Sequence, residues 1–275
     1  MNDVGIAFIG GGNMARSLIG GLLARGTDPG RVRVAEPVAD LRDALAREYG
    51  VAVFEQAVDM VAIPGAGAWV FAVKPQVMRR VCEGLASAAQ AQRPLAISIA
   101  AGISSAQLRR WLGGDLAVVR TMPNTPALLG AGVTGLYAGE HVEAAGRALA
   151  EGLLSATGQT VWIQDEALMD AVTAVSGSGP AYVFLLAEAM TDAGIAEGLP
   201  AEAARTLALQ TVLGAARMLT ETGVDAAELR RRVTSPNGTT QAAIEAFEFG
   251  GLRALVATAI HAARVRGAEL SAAND

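Results

Sequence analysis

The chain has 275 residues, enough for about two domains at ~150 residues each, and its 52% hydrophobic and 18% charged residues exclude a disordered or fibrous protein. A net charge of −5 leaves no basic stripe to displace counterions, so no nucleic-acid partner is expected. One cysteine, Cys82, excludes an internal disulfide, and two separated histidines, His141 and His261, give no metal-ligand cluster, so no metal is expected.

From the amino end, short apolar, β-branched runs alternate with longer Ala/Leu-rich amphipathic stretches. Strands are predicted at 4–9, 31–35, 51–53, 69–73, 95–99 and 117–122, and helices at 14–25, 40–49, 76–89 and 104–112. Two further strands follow near 132–138 and 160–163, with a helix at about 142–155 between them. This alternation predicts a Rossmann-like, doubly wound α/β sheet. After Ile163 the period changes, and helices are predicted at 168–175, 181–193, 201–221, 226–232, 239–247 and 252–270. The expected organisation is therefore a dinucleotide-binding domain at 1–164 and an all-α domain at 165–275, with a frayed end from Ala272. The 57 alanines and 32 glycines suit closely packed helices and tight turns. No apolar run approaches the ~18 residues of a membrane span, and Met1-Asn2-Asp3 carries no basic leader, so a soluble cytoplasmic protein is expected.

The first predicted strand runs into Gly10-Gly11-Gly12-Asn13-Met14-Ala15 and then a helical pattern, which matches G-x-G-x-x-A in its strand-turn-helix context. Gly10 permits the tight turn, Gly12 lets a pyrophosphate approach the backbone, and Ala15 lets helix and strand pack closely. The helix start then offers N–H groups and partial positive charge to phosphates. The second strand ends at Glu36, whose carboxylate would accept hydrogen bonds from the adenosine ribose and repel a 2′-phosphate. At ~4 Å that repulsion is roughly 1–4 kcal/mol, about a five- to several-hundred-fold preference for NADH over NADPH. Alternatively Glu36 caps the turn before Pro37, and Arg33 or Arg42 could swing in to hold a phosphate. Lys74, the sole lysine, follows the fourth strand and either hydrogen-bonds cofactor hydroxyls or caps the sheet edge. Ser98-Ile99-Ala100-Ala101-Gly102 ends the next strand with small residues suited to a flat ring or ribose.

In the helical half, Ser235-Pro236-Asn237-Gly238-Thr239-Thr240 precedes an apolar-periodic helix. Its start is either an ordinary N-cap or an anion site in which the N–H groups of Gly238, Thr239 and Thr240 hold a substrate carboxylate. Ser176-Gly177-Ser178-Gly179-Pro180 is a second small-residue loop, serving either close helix packing or ligand contact.

In order along the chain, Phe8-Ile9-Gly10-Gly11-Gly12-Asn13-Met14-Ala15, Ala72-Val73-Lys74-Pro75-Gln76, Ser98-Ile99-Ala100-Ala101-Gly102, Arg120-Thr121-Met122-Pro123-Asn124-Thr125-Pro126, the Ser176–Tyr182 stretch and Val233-Thr234-Ser235-Pro236-Asn237-Gly238-Thr239-Thr240 make the chain resemble the pyrroline-5-carboxylate reductase family over essentially its whole length. The resemblance implies reduction of 1-pyrroline-5-carboxylate to L-proline, the last step of proline biosynthesis, with NADH or NADPH as cofactor. It also implies a homodimer, or a higher oligomer, through the C-terminal helices, with substrate bound at the dimer interface. It places Ile9, Gly10, Gly11, Gly12, Asn13 and Met14 on the cofactor phosphates, with Val73, Lys74, Ala100 and Ala101 near the ribose and nicotinamide. On the substrate side it places Glu166, Ser235, Gly238, Thr239 and Thr240, with Thr240 as the catalytic residue that meets the ring nitrogen. The chain departs from the family pattern at Asn237, where glycine is frequent, and at Glu36 and Asp59, both of which add negative charge near the cofactor. Arg232, where a neutral residue is frequent, is a possible compensation. Two rivals remain at this point. A β-hydroxyacid dehydrogenase would need a lysine in the helical half, and none follows Lys74. A non-catalytic redox sensor would not need the Ser235–Thr240 loop.

Overall fold

The structure, a computed structural model, describes residues 4–273. Met1-Asn2-Asp3, on which the reading of the amino end rests, and the last two residues of the expected frayed end lie outside them. Eight strands, β1 (Gly5–Ile9), β2 (Val32–Ala35), β3 (Ala52–Phe54), β4 (Ala66–Phe71), β5 (Leu95–Ser98), β6 (Val118–Met122), β7 (Gly132–Ala138) and β8 (Gly158–Trp162), form one sheet in the order 3-2-1-4-5-6-7-8. The order reverses at β1, which pairs in parallel with β2 on one side and β4 on the other. Doubly wound sheets bind ligands at such a reversal, outside the carboxyl ends of the strands.

The continuous apolar strands are explained by burial on both faces. Ile6 and Phe8 of β1 face a core with Ala15, Leu18, Ile19 and Leu22 of α1 (Asn13–Ala24), while Ala7 and Ile9 face the opposite core. That opposite core is closed by α3 (Ala57–Val61), α4 (Pro75–Gln92) and α5 (Ser105–Trp111), α2 (Ala39–Tyr49) contributing Leu45 to the first. In α4 the buried stripe is Met78, Cys82, Leu85 and Ala89, at three- and four-residue spacing, and Pro75 occupies the first helical position where its missing N–H costs nothing.

Three details differ from the sequence reading. The strand expected at 69–73 is β4, Ala66–Phe71: the chain leaves the sheet at Ala72, whose N–H still reaches the Ile9 carbonyl at 2.8 Å. Helix α3 was not expected, because five residues carry too little periodicity to register. Strand β7 runs antiparallel to β6, since the connection at 123–131 is a 3-10 turn, too short for a parallel crossover. Helix α6 (Ala144–Leu154) then supplies a full crossover, and β8 lies parallel to β7.

No strand follows β8 among the described residues. The chain forms two compact units: one around the sheet, reaching Ser178 and taking in the chain again from Ala263, and one of Gly179–Ala262. The first includes α7 (Met169–Val172), which widens into a π-helical turn, Thr173–Gly177. The second contains α8 (Gly179–Ala196), α9 (Ala201–Glu221), α10 (Ala226–Arg232), α11 (Thr239–Phe249) and the first half of α12 (Leu252–Ala273). In this helical unit the only buried hydrophobic side chains among the described residues are Ala187, Ala204 and Ala208, whereas Phe184, Leu185 and Leu255 are about two-thirds exposed and Phe249 almost wholly so. No helix among the described residues is long and apolar enough to cross a membrane.

Candidate active site

Gly10 follows β1 with φ +101°, and a Cβ there would lie 2.7 Å from the Ala72 carbonyl oxygen, so only glycine fits. Its N–H donates to the Ala35 carbonyl at 2.9 Å, which stitches the turn to the end of β2. Gly11 is pressed against Leu45 and Glu36. Gly12 differs: a Cβ there would meet nothing within 4 Å, and as the N-cap of α1 it brings no side chain to the first-turn N–H groups of Asn13 and Met14. An open backbone at an uncapped helix start fits the pyrophosphate of a dinucleotide.

Glu36 is buried at the end of β2. Its Oε2 accepts from Gly11 N and its Oε1 from Val38 N, both at 2.9 Å. The side chain thus ties down the turn at Pro37 and stands beside the glycine turn. A carboxylate has about four acceptor sites, so two bonds leave capacity for ribose hydroxyls. Arg42 donates to the Glu36 and Pro37 carbonyls, and Arg33 to those of Ile63 and Pro64, so both guanidinium groups are engaged. Asp59 is exposed on α3. Val73 and the exposed Lys74, the N-cap of α4, stand at the carboxyl end of β4, where Val73 Cγ1 lies 3.1 Å from a Cβ built on Gly10. Ala100 is buried just past β5, its N–H near Ser98 Oγ at 3.3 Å, and Ala101 beside it is exposed. The expected cofactor residues thus collect at the carboxyl ends of β1, β2, β4 and β5.

In the helical unit, α10 is capped by Asp225, which accepts from Ala227 N at 2.8 Å. Helix α11 has no such cap: its N-cap is Gly238, and no side chain takes the first-turn N–H groups of Thr239 and Thr240. A Cβ on Gly238 would clash with Ser235 Oγ, so any larger residue there would have to displace that hydroxyl. Asn237 adopts φ +56°, the left-handed geometry that asparagine tolerates. Thr240 is half-buried, and its hydroxyl has no partner among the described residues. Arg232 is paired with Glu228 at 2.8 Å, and that pairing, with Arg231, lowers the Glu228 pKa. Among the described residues no cluster of three or more His, Cys, Asp or Glu could hold a metal.

Glu166 takes part in a network that sequence reasoning missed. Its Oε1 and Oε2 accept from Ser105 N at 2.7 Å and Ser105 Oγ at 2.6 Å, at the start of α5. Arg120 of β6, almost buried, pairs with Glu166 at 3.4 Å and with Asp170 at 3.2 Å. The signal was present: an arginine inside the apolar run Val118–Met122, and two acids, Glu166 and Asp170, four residues apart. The expected small-residue loop is instead helical. Gly177 belongs to the π turn, where a Cβ would come 2.5 Å from Met122 Cε, and Gly179 opens α8. Close packing is the role Gly177 fills.

A doubly wound sheet with an open glycine turn at its switch point defines a dinucleotide-binding protein. Residues 5–102 match the family described as NADP oxidoreductase, coenzyme F420-dependent, and residues 166–270 the one described as pyrroline-5-carboxylate reductase dimerisation. With 54% identity to the pyrroline-5-carboxylate reductase of Pseudomonas aeruginosa over 98% of each chain, this chain belongs to the pyrroline-5-carboxylate reductase family. The solved structure of the Coxiella burnetii enzyme is similar at 42% identity and TM-score 0.94, covering 98% of this chain and 99% of that one. The Plasmodium falciparum pyrroline carboxylate reductase, solved with NADP bound, is similar at 25% identity and TM-score 0.84, covering 98% and 99%.

Proposed function

We propose that the chain reduces 1-pyrroline-5-carboxylate to L-proline in the cytoplasm, with NADH favoured over NADPH. The observation that carries this reading is a pair of glycine-capped helix starts, Gly12 of α1 and Gly238 of α11, each leaving first-turn N–H groups for an anionic ligand. The reduced nicotinamide, when bound, supplies the hydride. Asn13 and Met14 hold its pyrophosphate through their N–H groups while Ile9, Gly10, Gly11 and Gly12 shape the turn around it, Glu36 takes the adenosine ribose and rejects a 2′-phosphate, and Val73, Lys74, Ala100 and Ala101 border the nicotinamide end. The N–H groups of Thr239 and Thr240 fix the substrate carboxylate, while the Gly238 N–H donates to the Ser235 carbonyl at 3.1 Å, so that Gly238 and Ser235 shape the loop. The Thr240 hydroxyl orients the ring nitrogen and is the catalytic residue. An imine accepts hydride best as its iminium, so positioning and electrostatics suffice without a carboxylate dyad or histidine pair. Glu166 acts on the substrate side through its network with Ser105 and Arg120, which fixes the start of α5.

The helical unit serves a homodimer. Its exposed Phe184, Leu185, Leu213, Leu255 and Val256 are supported in that role by the match to a dimerisation family, and each such side chain contributes about 1.5–3 kcal/mol when buried. Steady-state assays of the purified protein with pyrroline-5-carboxylate, comparing NADH with NADPH, test the reading. Turnover with NADH at least about fivefold more efficient is expected. Binding of NADH without its oxidation by the imine would overturn the reductase, and preference for NADPH would overturn the role of Glu36.

A further inference from the structure

The α11 start poses a physical problem. A serine or aspartate N-cap would hold the loop but would compete with a ligand for the same N–H groups, whereas glycine leaves those groups open and the backbone loose. Gln241, the third residue of α11, resolves it. Its Oε1 accepts from Asn237 N at 2.8 Å, and its Nε2 donates to Glu245 Oε1 at 2.7 Å one turn further on. The clamp falls on the residue before the cap, where the chain takes φ +56°, and leaves the N–H groups of Thr239 and Thr240 alone. The bond to the Glu245 carboxylate turns the amide nitrogen away, so the oxygen is the atom that faces Asn237. A glutamate at this position could accept from Asn237 as in a capping box, but it would face the Glu245 carboxylate without a donor and would place a negative charge beside the anion site.

We propose that Gln241 is a positioning residue for the substrate carboxylate, a neutral latch that sets the Asn237-Gly238 backbone through Glu245 without occupying the ligand's donors. The proposal rests on the reading of Ser235–Thr240 as the substrate loop. Two variants separate its parts. Gln241→Ala removes the latch: amide hydrogen exchange at Asn237 accelerates, and KM for pyrroline-5-carboxylate rises about three- to tenfold, with kcat and NADH affinity by fluorescence titration within about twofold. The double variant Gln241→Glu/Glu245→Gln keeps the latch with its second hydrogen bond reversed in direction: exchange at Asn237 and thermal stability stay as they were, yet KM rises about tenfold at low salt and recovers as ionic strength screens the charge moved toward the loop.

Unchanged exchange at Asn237 in Gln241→Ala overturns the latch. Faster exchange with unchanged KM shows a latch that serves folding alone and overturns the positioning role. A parallel loss of kcat, stability and NADH affinity does the same. If Thr240→Ala also leaves substrate use untouched, the reading of the loop itself fails; if Thr240→Ala alone is damaging, only the role of Gln241 fails.

Discussion

Replacing Glu36 by glutamine separates the two tasks of that side chain. Each carboxylate oxygen accepts one backbone N–H, from Gly11 and from Val38, at 2.9 Å. Glutamine has one acceptor oxygen, and its amide nitrogen would face the other N–H as a second donor. One charge-assisted hydrogen bond is lost at a buried position, which destabilises the fold by about 1.5–3 kcal/mol. Removing the charge also removes the repulsion of a 2′-phosphate, about 1–4 kcal/mol at ~4 Å between surface-like and bulk dielectrics. The expected result is a urea midpoint shifted down at constant slope, together with a ratio of kcat/KM for NADPH to that for NADH raised at least about fivefold. The gain shrinks at high salt, where the Debye length falls to about 3 Å. A variant that loses stability as expected but keeps its cofactor ratio within a factor of about two would refute the electrostatic reasoning and leave Glu36 as a turn cap.

Thr240→Ala removes the hydroxyl proposed to meet the ring nitrogen: kcat/KM for the imine falls at least about tenfold while the NADH dissociation constant stays within about twofold, by steady-state assay and fluorescence titration. Arg120→Met leaves Glu166 and Asp170 facing each other without their shared cation, and is expected to destabilise the protein by about 3–5 kcal/mol in denaturant titrations; Ser105→Ala, which leaves the ion pairs in place, does less. Burial pushes the Cys82 thiol up to about 12 from 9.0. Thiol reagents therefore leave it untouched at pH 8 until the protein unfolds. Between pH 9 and 12 the folded state holds a proton the unfolded chain releases, so this group's stability contribution falls by about 1.4 kcal/mol per pH unit, a slope that Cys82→Ala removes.

Much of the architecture was legible because it is periodic. Strand β7 and helices α9 and α10 fall at the residues the pattern predicts, and the glycine turn falls where β1 ends. What escaped depends on contacts distant in sequence or on geometry finer than a period. The pairing of Arg120 with Glu166, 46 residues apart, leaves only an odd arginine in an apolar strand. The π turn at Thr173–Gly177 looks like a loop because its glycine serves a close approach to Met122 rather than a bend. The Gln241 latch was hidden because a glutamine in the first turn is unremarkable until Asn237 is seen in the left-handed region. Glu36 lay between these cases: its place at the end of β2 was evident, but its bond to Gly11 required the fold.

The most direct measurement is a crystal structure of the protein with oxidised dinucleotide and L-proline bound together. The account predicts the pyrophosphate on the N–H groups that follow Gly12, the proline carboxylate on those that follow Gly238, and the nicotinamide C4 in van der Waals contact with proline C5. Proline seated away from Thr239 and Thr240, or a dinucleotide seated away from Gly10–Gly12, would contradict it.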